Sequence, residues 1–304
     1  MTFKQTFKDY KKRTLYCFIN IEIPYIAWEV AIGRICTTIY GGIEGSSITP
    51  MQTYSALSVW QYNKLHSLIV RSDKRPYENE LKMEKFRHDN FRNKVSRLKG
   101  LYFFESKENA IKIRNHLRWN WLRDEDLAEV DFYYKEDEHI SFYDSLWIDS
   151  EMSEESMNGY FSGKTRFESP ATEILAYGKG VIKNDELVCK ARNKILNLYP
   201  KSIDIIDSAK LIFDTYFKGS IWAQETDFSA YNPAYSMFWF HQDENGKAKI
   251  SSIMNTHPFE KYGFLHRSDD VLFPDFQQYF LNFTEPQFEE FKKISNEILL
   301  ITLN

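Results

Sequence analysis

The chain is poor in cysteine: its 304 residues include three, Cys17, Cys36 and Cys189, and no Cys-x-x-Cys pair. So few cysteines, in odd number, argue against a disulfide framework and a zinc site, and they are typical of a reducing compartment. No run approaches 18 consecutive apolar residues, as a membrane-spanning helix requires, and no apolar signal-peptide core follows the polar first residues. The sequence therefore predicts a cytoplasmic protein with no metal ion and no membrane partner.

Several enzyme signatures are also missing. The sequence contains no GxxxxGK[ST], GxGxxG, HExxH or GxSxG motif, and no two of its seven histidines are spaced at i,i+4. Phosphate-loop NTPases, dinucleotide-binding Rossmann folds, zinc metallopeptidases and α/β-hydrolases therefore lose their usual motifs. A nuclease whose carboxylates lie far apart in the sequence stays open.

Charge is present but unevenly distributed. The net charge of −4 gives no general signal for nucleic-acid binding. Residues 71–99, however, carry ten Lys/Arg against five Asp/Glu. We interpret this segment as a solvated helix; if the partner is a nucleic acid, Arg87, Arg92 and Lys94 are the first candidates for phosphate contacts.

Hydrophobic residues make up 43% of the chain and charged residues 27%, as in globular proteins. Local patterns predict an alternation of short strands and helices. Pro24 and Gly33 are typical of the two ends of a helix, Ser106 of an N-cap, and Asn245-Gly246 of a hairpin turn. The predicted strands are 14–20, 100–106, 128–134 and 140–147, and segment 172–182 is predicted to be a strand pair or a bent strand, with Gly178 at the turn or bulge. The predicted helices are 24–33, 51–70, part of 71–99, 106–117, 153–163, 185–197, 204–217 and 284–300.

A single carboxylate interrupts the apolar run SPATEILAYGKGVI at 169–182, near the start of a predicted buried strand. Burying an unpaired carboxylate is costly. Glu173 therefore either points to solvent, caps a neighbouring helix, or faces a site that uses its charge.

Three strand-like pieces follow one another along the chain. The first is Leu15-Tyr16 with Gly33-Arg34-Ile35, and the second is Gly100-x-Tyr102-Phe103 followed by Ser106 and Ala110. The third has the pattern PxxExLxxG, formed by Pro170, Glu173, Leu175 and Gly178. In this order the pieces resemble the ADP-ribosyltransferase-like fold family in its prokaryotic toxin and phage-defence branch, and the resemblance covers residues 14–183.

This resemblance implies a role for each matched residue. Glu173 would be the catalytic carboxylate that holds the ribose of NAD⁺ and stabilises an oxocarbenium-like transition state. NAD⁺ would be a co-substrate, contacted by Tyr16 and Arg34 from the first strand and turn, by one of Tyr102 and Phe103, and by Ser106. Tyr102 is the better candidate for the ring that packs on nicotinamide.

Two positions depart from the family pattern. Cys17 stands where the family has His or Arg on its first strand. Arg34, in the neighbouring turn, is the candidate to supply that charge instead. Ala171, two residues before Glu173, stands where members that modify arginine or asparagine have Glu or Gln. Arginine is therefore a less favoured acceptor, while other protein side chains and nucleic acids such as RNA stay open.

We accordingly expect an α+β fold with a split, mixed or antiparallel sheet of ADP-ribosyltransferase type in residues 1–205. An α+β extension would follow in 206–304. The resemblance implies transfer of ADP-ribose to a macromolecule by a toxin of a toxin–antitoxin or anti-phage system, with an antitoxin protein as a partner. The alternatives are an NAD⁺ glycohydrolase on the same fold and an inactive binding module.

Overall fold

The structure is a computed structural model, and it describes residues 10–37, 75–116, 119–120, 122–134, 136–149, 151–203, 206–207, 210, 239–242, 247–251, 264–266, 286 and 293. These residues form a mixed α+β fold in which every strand pairing is antiparallel. The predicted α+β class is confirmed at this level. The helices are α1 (Pro24–Ile32), α2 (Arg75–Asn90), α3 (Lys107–His116), α4 (Glu154–Phe161) and α5 (Asp185–Leu198).

A four-stranded sheet has the order β1-β4-β7-β2. Part of this sheet alternates along the strand between buried apolar residues and partly exposed polar ones. On β4, for example, Val130 and Phe132 are buried, while Asp131 accepts a hydrogen bond from Thr14 on the neighbouring strand at 3.0 Å. The strands of this sheet are β1 (Lys11–Phe18), β2 (Arg34–Cys36), β4 (Leu127–Tyr134) and β7 (Lys179–Ile182).

A second, three-stranded sheet has the order β3-β6-β5, with β6 at its centre. Its central strand contains the sequence TEILA and is buried along most of its length, which explains its apolar composition. The strands are β3 (Leu101–Phe103), β5 (Ile140–Asp144) and β6 (Thr172–Ala176).

The chain passes four times between these two sheets, from β2 to β3, from β3 to β4, from β4 to β5 and from β6 to β7. Gly178 lies at the crossing from β6 to β7, where a Cβ atom would come within 2.2 Å of the carbonyl oxygen of Tyr133. The segment TEILAYGKGVI is therefore one strand broken at a corner, as its glycines predicted.

One backbone bridge joins the outer strands of the two sheets. Tyr16 on β1 and Phe104, just after β3, exchange two N–H···O bonds of 2.9 and 2.7 Å. Phe103 packs on Phe132 with ring centroids 4.8 Å apart, which brings the sheets into contact. The first strand is thus connected to the strand that carries Glu173 through a single intervening strand, β3.

Local signals account for several element ends. Pro24 opens α1, and Gly33 ends it in the left-handed conformation, with φ of 89°. Glycine adopts this conformation without the cost that a Cβ atom imposes. The prediction of a helix between these two residues is confirmed.

The charged segment 71–99 is helical in α2, as predicted, but it is not solvated throughout. The described part, α2 and the irregular stretch that follows it, turns charged side chains inward together with apolar ones. The reason is mutual pairing, since buried carboxylates and guanidinium groups face each other. The buried charged residues are Glu80, Glu84, Arg87 and Arg97.

The C-terminal strands β8 (Trp239–Gln242), β9 (Lys247–Ser251) and β10 (Phe264–His266) form a sheet of their own, in the order β10-β9-β8. β8 and β9 pair antiparallel around residues 243–246, as the hairpin signal predicted. The helix predicted at 51–70 lies outside the described residues, and those at 204–217 and 284–300 lie mostly outside them. No helix in the described part of the chain is long and apolar enough to cross a membrane.

Candidate functional site

Glu173 is the second residue of β6 and is only 5% exposed. It lies opposite Tyr143 on β5, and Leu175 lies opposite Tyr102 on β3. Because side chains alternate along a strand, Glu173, Leu175 and Tyr102 share one face of the three-stranded sheet. That face is covered by an aromatic and methionine-rich cluster that includes Met83 and Phe161.

The carboxylate of Glu173 accepts three hydrogen bonds from three other parts of the chain. Arg97 Nη1 donates to Oε1 at 2.7 Å, the hydroxyl of Tyr160 on α4 also donates to Oε1, and Ser145 Oγ donates to Oε2 at 2.8 Å. A carboxylate offers about four lone-pair sites. Among the described residues, two donors fill Oε1 and one contacts Oε2, so one acceptor site of Oε2 is used by none of them.

Tyr160 is held as a donor by its surroundings. Burial raises the pKa of its hydroxyl well above the ordinary value; the cation of Arg97 opposes this effect and the carboxylate of Glu173 adds to it. The ring of Tyr160 stacks on Tyr143, with centroids 4.3 Å apart and planes at 20°. The hydroxyl therefore stays protonated and pointed at Glu173.

Arg97 joins two carboxylates. Its Nε and Nη2 donate to Glu80 at 2.9 and 3.0 Å, in the bidentate geometry that suits a guanidinium group. Burial by itself lowers the pKa of Arg97, but Glu80 and Glu173 raise it, and the net pKa lies well above the ordinary value. A buried cation thus neutralises much of the charge of the two carboxylates, as buried ions require.

Two rings enclose the guanidinium group. Its central carbon lies 5.1 Å from the ring centroids of both Tyr102 and Tyr160. The Tyr102 hydroxyl donates to the carbonyl oxygen of Arg97 at 3.2 Å. Cation–π contacts of this kind add to the ion pairs and fix the plane of the group.

Asp144 fixes the loop that leads into the Glu173 strand. It accepts backbone N–H bonds from Ala171 at 2.9 Å, Arg166 at 2.8 Å and Leu146 at 3.1 Å. The backbone N–H of Ser145 in turn donates to the carbonyl oxygen of Ala171 at 2.9 Å. The middle of the loop at 162–171, its C-terminal end and the serine beside Glu173 are therefore held by one buried carboxylate and its neighbour.

The predicted cofactor residues fall into two groups. Tyr102 contacts Arg97, the ion-pair partner of Glu173. Tyr16 is linked to the edge of the same sheet by its backbone bridge to Phe104, and its hydroxyl donates to Glu129 at 3.4 Å. Both are partly exposed. The structure thus places Glu173 and Tyr102 on the same face of the sheet, and Arg97 contacts both of them.

Three of the predicted contacts are corrected or explained by other roles. Phe103 is 0% exposed and packs between the sheets, so it cannot contact a cofactor. Arg34 is 1% exposed and forms a bidentate pair with Glu29 at 2.8 and 3.0 Å, so its charge neutralises a buried carboxylate of the fold. Ser106 caps α3, accepting the N–H of Asn109 at 3.1 Å.

The basic candidates also divide. Arg87 is buried, pairs with Glu84 at 2.8 Å and donates to the carbonyl oxygen of Lys94 at 3.0 Å, so it is a structural residue and not a phosphate contact. Arg92 is exposed and donates from Nε to the carbonyl oxygen of His88 at 3.0 Å, and Lys94 is half-buried. Of the three predicted basic candidates, Arg92 and Lys94 have side-chain surface that a phosphate could reach.

Ala171 has a structural reason to be small. It is buried against Phe18, Phe104 and the α3 residues Ala110 and Ile113. A Glu or Gln side chain in this cluster would bury a polar group among apolar ones. The residue that bears on acceptor choice in the resembling family is here part of a core.

Sequence reasoning missed the residues that surround Glu173. Tyr160 and Ser145 lie in segments predicted as a short helix and a strand, and Glu80 and Arg97 in the segment predicted to be solvated. The signal that could have found Arg97 is the presence of Val95 and Leu98 close to it, since apolar residues within a basic run indicate that the stretch packs against a core. In the described part of the chain, no group of three His, Cys, Asp or Glu side chains is placed to hold a metal ion.

The site thus contains the buried, ion-paired carboxylate of Glu173, with one acceptor site on Oε2 that no described residue occupies, and the ring of Tyr102 on the same sheet face. Comparison adds no relative to this picture: no family model matches the chain, and no curated protein matches it.

Proposed function

We propose that the chain is an NAD⁺-dependent ADP-ribosyltransferase with a split-sheet core of that family's type. One observation carries the proposal. Three parts of the segments that resemble the family's motifs lie on neighbouring strands, since Tyr16 of β1 bridges Phe104 and Phe103 of β3 faces Ile174 of β6. Residues that are far apart in the sequence are thereby brought onto strands next to the one that carries Glu173, whereas Gly33-Arg34-Ile35 lies at β2, on the other edge of the four-stranded sheet.

In the proposed reaction, the bond between C1′ of the nicotinamide ribose and the ring nitrogen breaks, and nicotinamide leaves with the bonding electrons. A nucleophilic atom of the acceptor bonds to C1′ and loses its proton to solvent. Oε2 of Glu173 accepts a hydrogen bond from a ribose hydroxyl, and its charge stabilises the cationic sugar. Tyr102, partly exposed on the same face, packs on the nicotinamide ring.

The acceptor in this proposal is a macromolecule, either a nucleic acid such as RNA or a protein side chain other than arginine. Arg92 and Lys94 retain the exposure that a phosphate contact needs. The proposed setting, a toxin of a toxin–antitoxin or anti-phage system with a neutralising antitoxin, follows from the family resemblance alone.

The test is incubation with NAD⁺ labelled in the adenylate part, together with separate pools of cell protein, RNA and DNA. We expect label on one pool and free nicotinamide in equal amount. E173Q should lower transfer by roughly 100-fold to 1,000-fold, the loss typical of removing one electrostatic group from a transition state.

E84Q is the matched control for E173Q, because Glu84 is also a buried carboxylate paired with an arginine, Arg87. It should retain transfer activity. Nicotinamide release without a labelled pool would replace the transferase with an NAD⁺ glycohydrolase. No release by the folded wild-type chain would overturn the enzymatic proposal.

A second candidate is a binding module without activity, and the burial of Glu173 favours it. A carboxylate that is 5% exposed and ion-paired at 2.7 Å has the features of a polar core residue. In that case E173Q would keep the full biological effect wherever the variant folds, whereas the enzymatic proposal requires that effect to disappear.

A further inference from the structure

The guanidinium group of Arg97 is held by four described side chains. Glu80 accepts from Nε and Nη2, and Glu173 and Tyr160 contact Nη1. The rings of Tyr102 and Tyr160 each have their centroid 5.1 Å from its central carbon. A group held in this way is pre-organised, because nothing has to reorient for it to act on Glu173.

These contacts also determine which oxygen of Glu173 is available. Arg97 and Tyr160 both donate hydrogen bonds to Oε1. Among the described contacts, Oε2 accepts a hydrogen bond only from the hydroxyl of Ser145. Without Arg97, Oε1 would keep only the Tyr160 hydroxyl among its described donors and would lose its charged partner. The position of the carboxylate therefore depends in part on Arg97, and the orientation of Arg97 depends on Glu80.

We infer that Arg97 is a positioning residue for the proposed reaction: anchored by Glu80, it aims the free acceptor site of Glu173 Oε2 at the ribose. This inference rests on the proposed function. It adds a pair of residues that the family resemblance does not contain, since neither Glu80 nor Arg97 belongs to the three matched segments.

Arg87 provides a matched control within the same segment. It too is a buried arginine that pairs bidentately with a glutamate of α2, Glu84, but it donates its remaining bonds to backbone carbonyls and not to Glu173. Lysine keeps the charge but cannot form the guanidinium fork. R97K and R87K should therefore perturb the fold alike while differing in catalysis.

The experiment measures kcat and KM for nicotinamide release by the full chain and its R97K, E80Q and R87K variants. R97K should lower kcat by about 100-fold, the loss expected from misplacing a reacting group by an ångström, with a much smaller change in KM. E80Q should lower kcat in the same direction and by less. R87K should keep the wild-type kcat.

Chemical rescue supplies a readout that a merely structural role would not move. In R97A, guanidinium ion at sub-denaturing concentration should restore part of kcat, because it can occupy the space between Glu80 and Glu173. Sodium chloride at equal ionic strength should not, and R87A should show no gain from guanidinium.

The outcomes separate the two proposals. A folded wild-type chain that releases no nicotinamide overturns the proposed function and this inference with it. An active wild type whose R97K variant keeps its kcat overturns the inference alone. The inference is also overturned if R97K has a higher kcat and a lower KM, because Arg97 would then compete with NAD⁺. It is overturned as well if R97K unfolds while E80Q keeps the full kcat.

Discussion

Glu173 and Arg97 belong to a polar core whose members come from distant parts of the chain. Glu80 is on α2, Tyr160 is on α4 and Ser145 follows β5. Taking charges out of water costs several kcal/mol per ion, and their mutual attraction offsets this only when the hydrogen bonds are complete. Each partner is therefore important for the stability of the others.

The contact between Ser145 and Glu173 can be tested through stability. S145A removes the only described donor to Oε2 and leaves a buried acceptor unpaired, which should lower the free energy of unfolding by about 1–3 kcal/mol. Urea denaturation measures this loss. S106A, which removes a half-exposed helix cap, should cost about 1 kcal/mol.

The comparison between the two serines decides the interpretation. If S145A is as stable as the wild type, water or a neighbouring group satisfies Oε2, and the described hydrogen bond has no energetic importance. The S106A value shows in parallel that the method resolves a loss of this size.

At the scale of elements, the crossing between β6 and β7 determines how the two sheets meet. Thr37, buried after β2, clamps this corner: its backbone N–H and its hydroxyl both lie 3.0 Å from the carbonyl oxygen of Gly178. The backbone of Tyr133 approaches from the other side. The corner therefore has no room for a side chain.

This tight corner leads to a prediction for Gly178. G178A would place a methyl group 2.2 Å from the carbonyl oxygen of Tyr133, so the backbone must shift, and the cost should reach or exceed the 1–3 kcal/mol that is typical of overpacking. G33A serves as a comparison, because its added Cβ meets nothing within 4 Å and suffers only from the positive φ.

Denaturation midpoints with unchanged m-values would measure both effects. We expect G178A to be less stable than G33A, and G33N to be close to the wild type because Asn tolerates the left-handed conformation. A G178A variant as stable as G33A would contradict the described approach of the two strands.

Local signals were sufficient for elements whose ends are marked by their own residues. Pro24 and Gly33 bounded α1, and Ser106 and Ser153 start their helices as caps. Pairing could not be predicted in the same way. β4 and β5 are separated by a short acidic turn yet join different sheets, because β4 is held between β1 and β7, strands that are distant from it in sequence.

The same distinction explains the candidate site. Glu173 stood out because one charge in an apolar strand is locally anomalous. Arg97 and Glu80 did not stand out, because each lies in a charged run where one more charge is ordinary. They become a buried pair only because the fold brings together two residues that are 17 positions apart. Interactions that depend on tertiary pairing leave little trace in a single sequence.

At the scale of the whole molecule, buried tyrosines make the fold sensitive to high pH. Burial raises the pKa of Tyr177 to about 12, against about 10 in an unfolded chain. The folded state thus holds this proton more tightly than the unfolded state. Burial, as the largest cause, also raises the pKa of other tyrosines, namely Tyr10, Tyr16, Tyr133, Tyr143 and Tyr160.

The sign of the effect follows from linkage. Below pH 10 both states are protonated and the stability is fully present; between about pH 10 and 12 the unfolded state loses its proton first, so the free energy of unfolding falls as pH rises. We expect tyrosinate absorbance and loss of circular dichroism to appear together in one steep alkaline transition. Y177F, which removes one of these ionisations, should move its midpoint to higher pH while leaving stability at neutral pH close to the wild-type value. Separate transitions, with tyrosinate forming in a chain that keeps its dichroism, would mean that these side chains are open to solvent in the folded state.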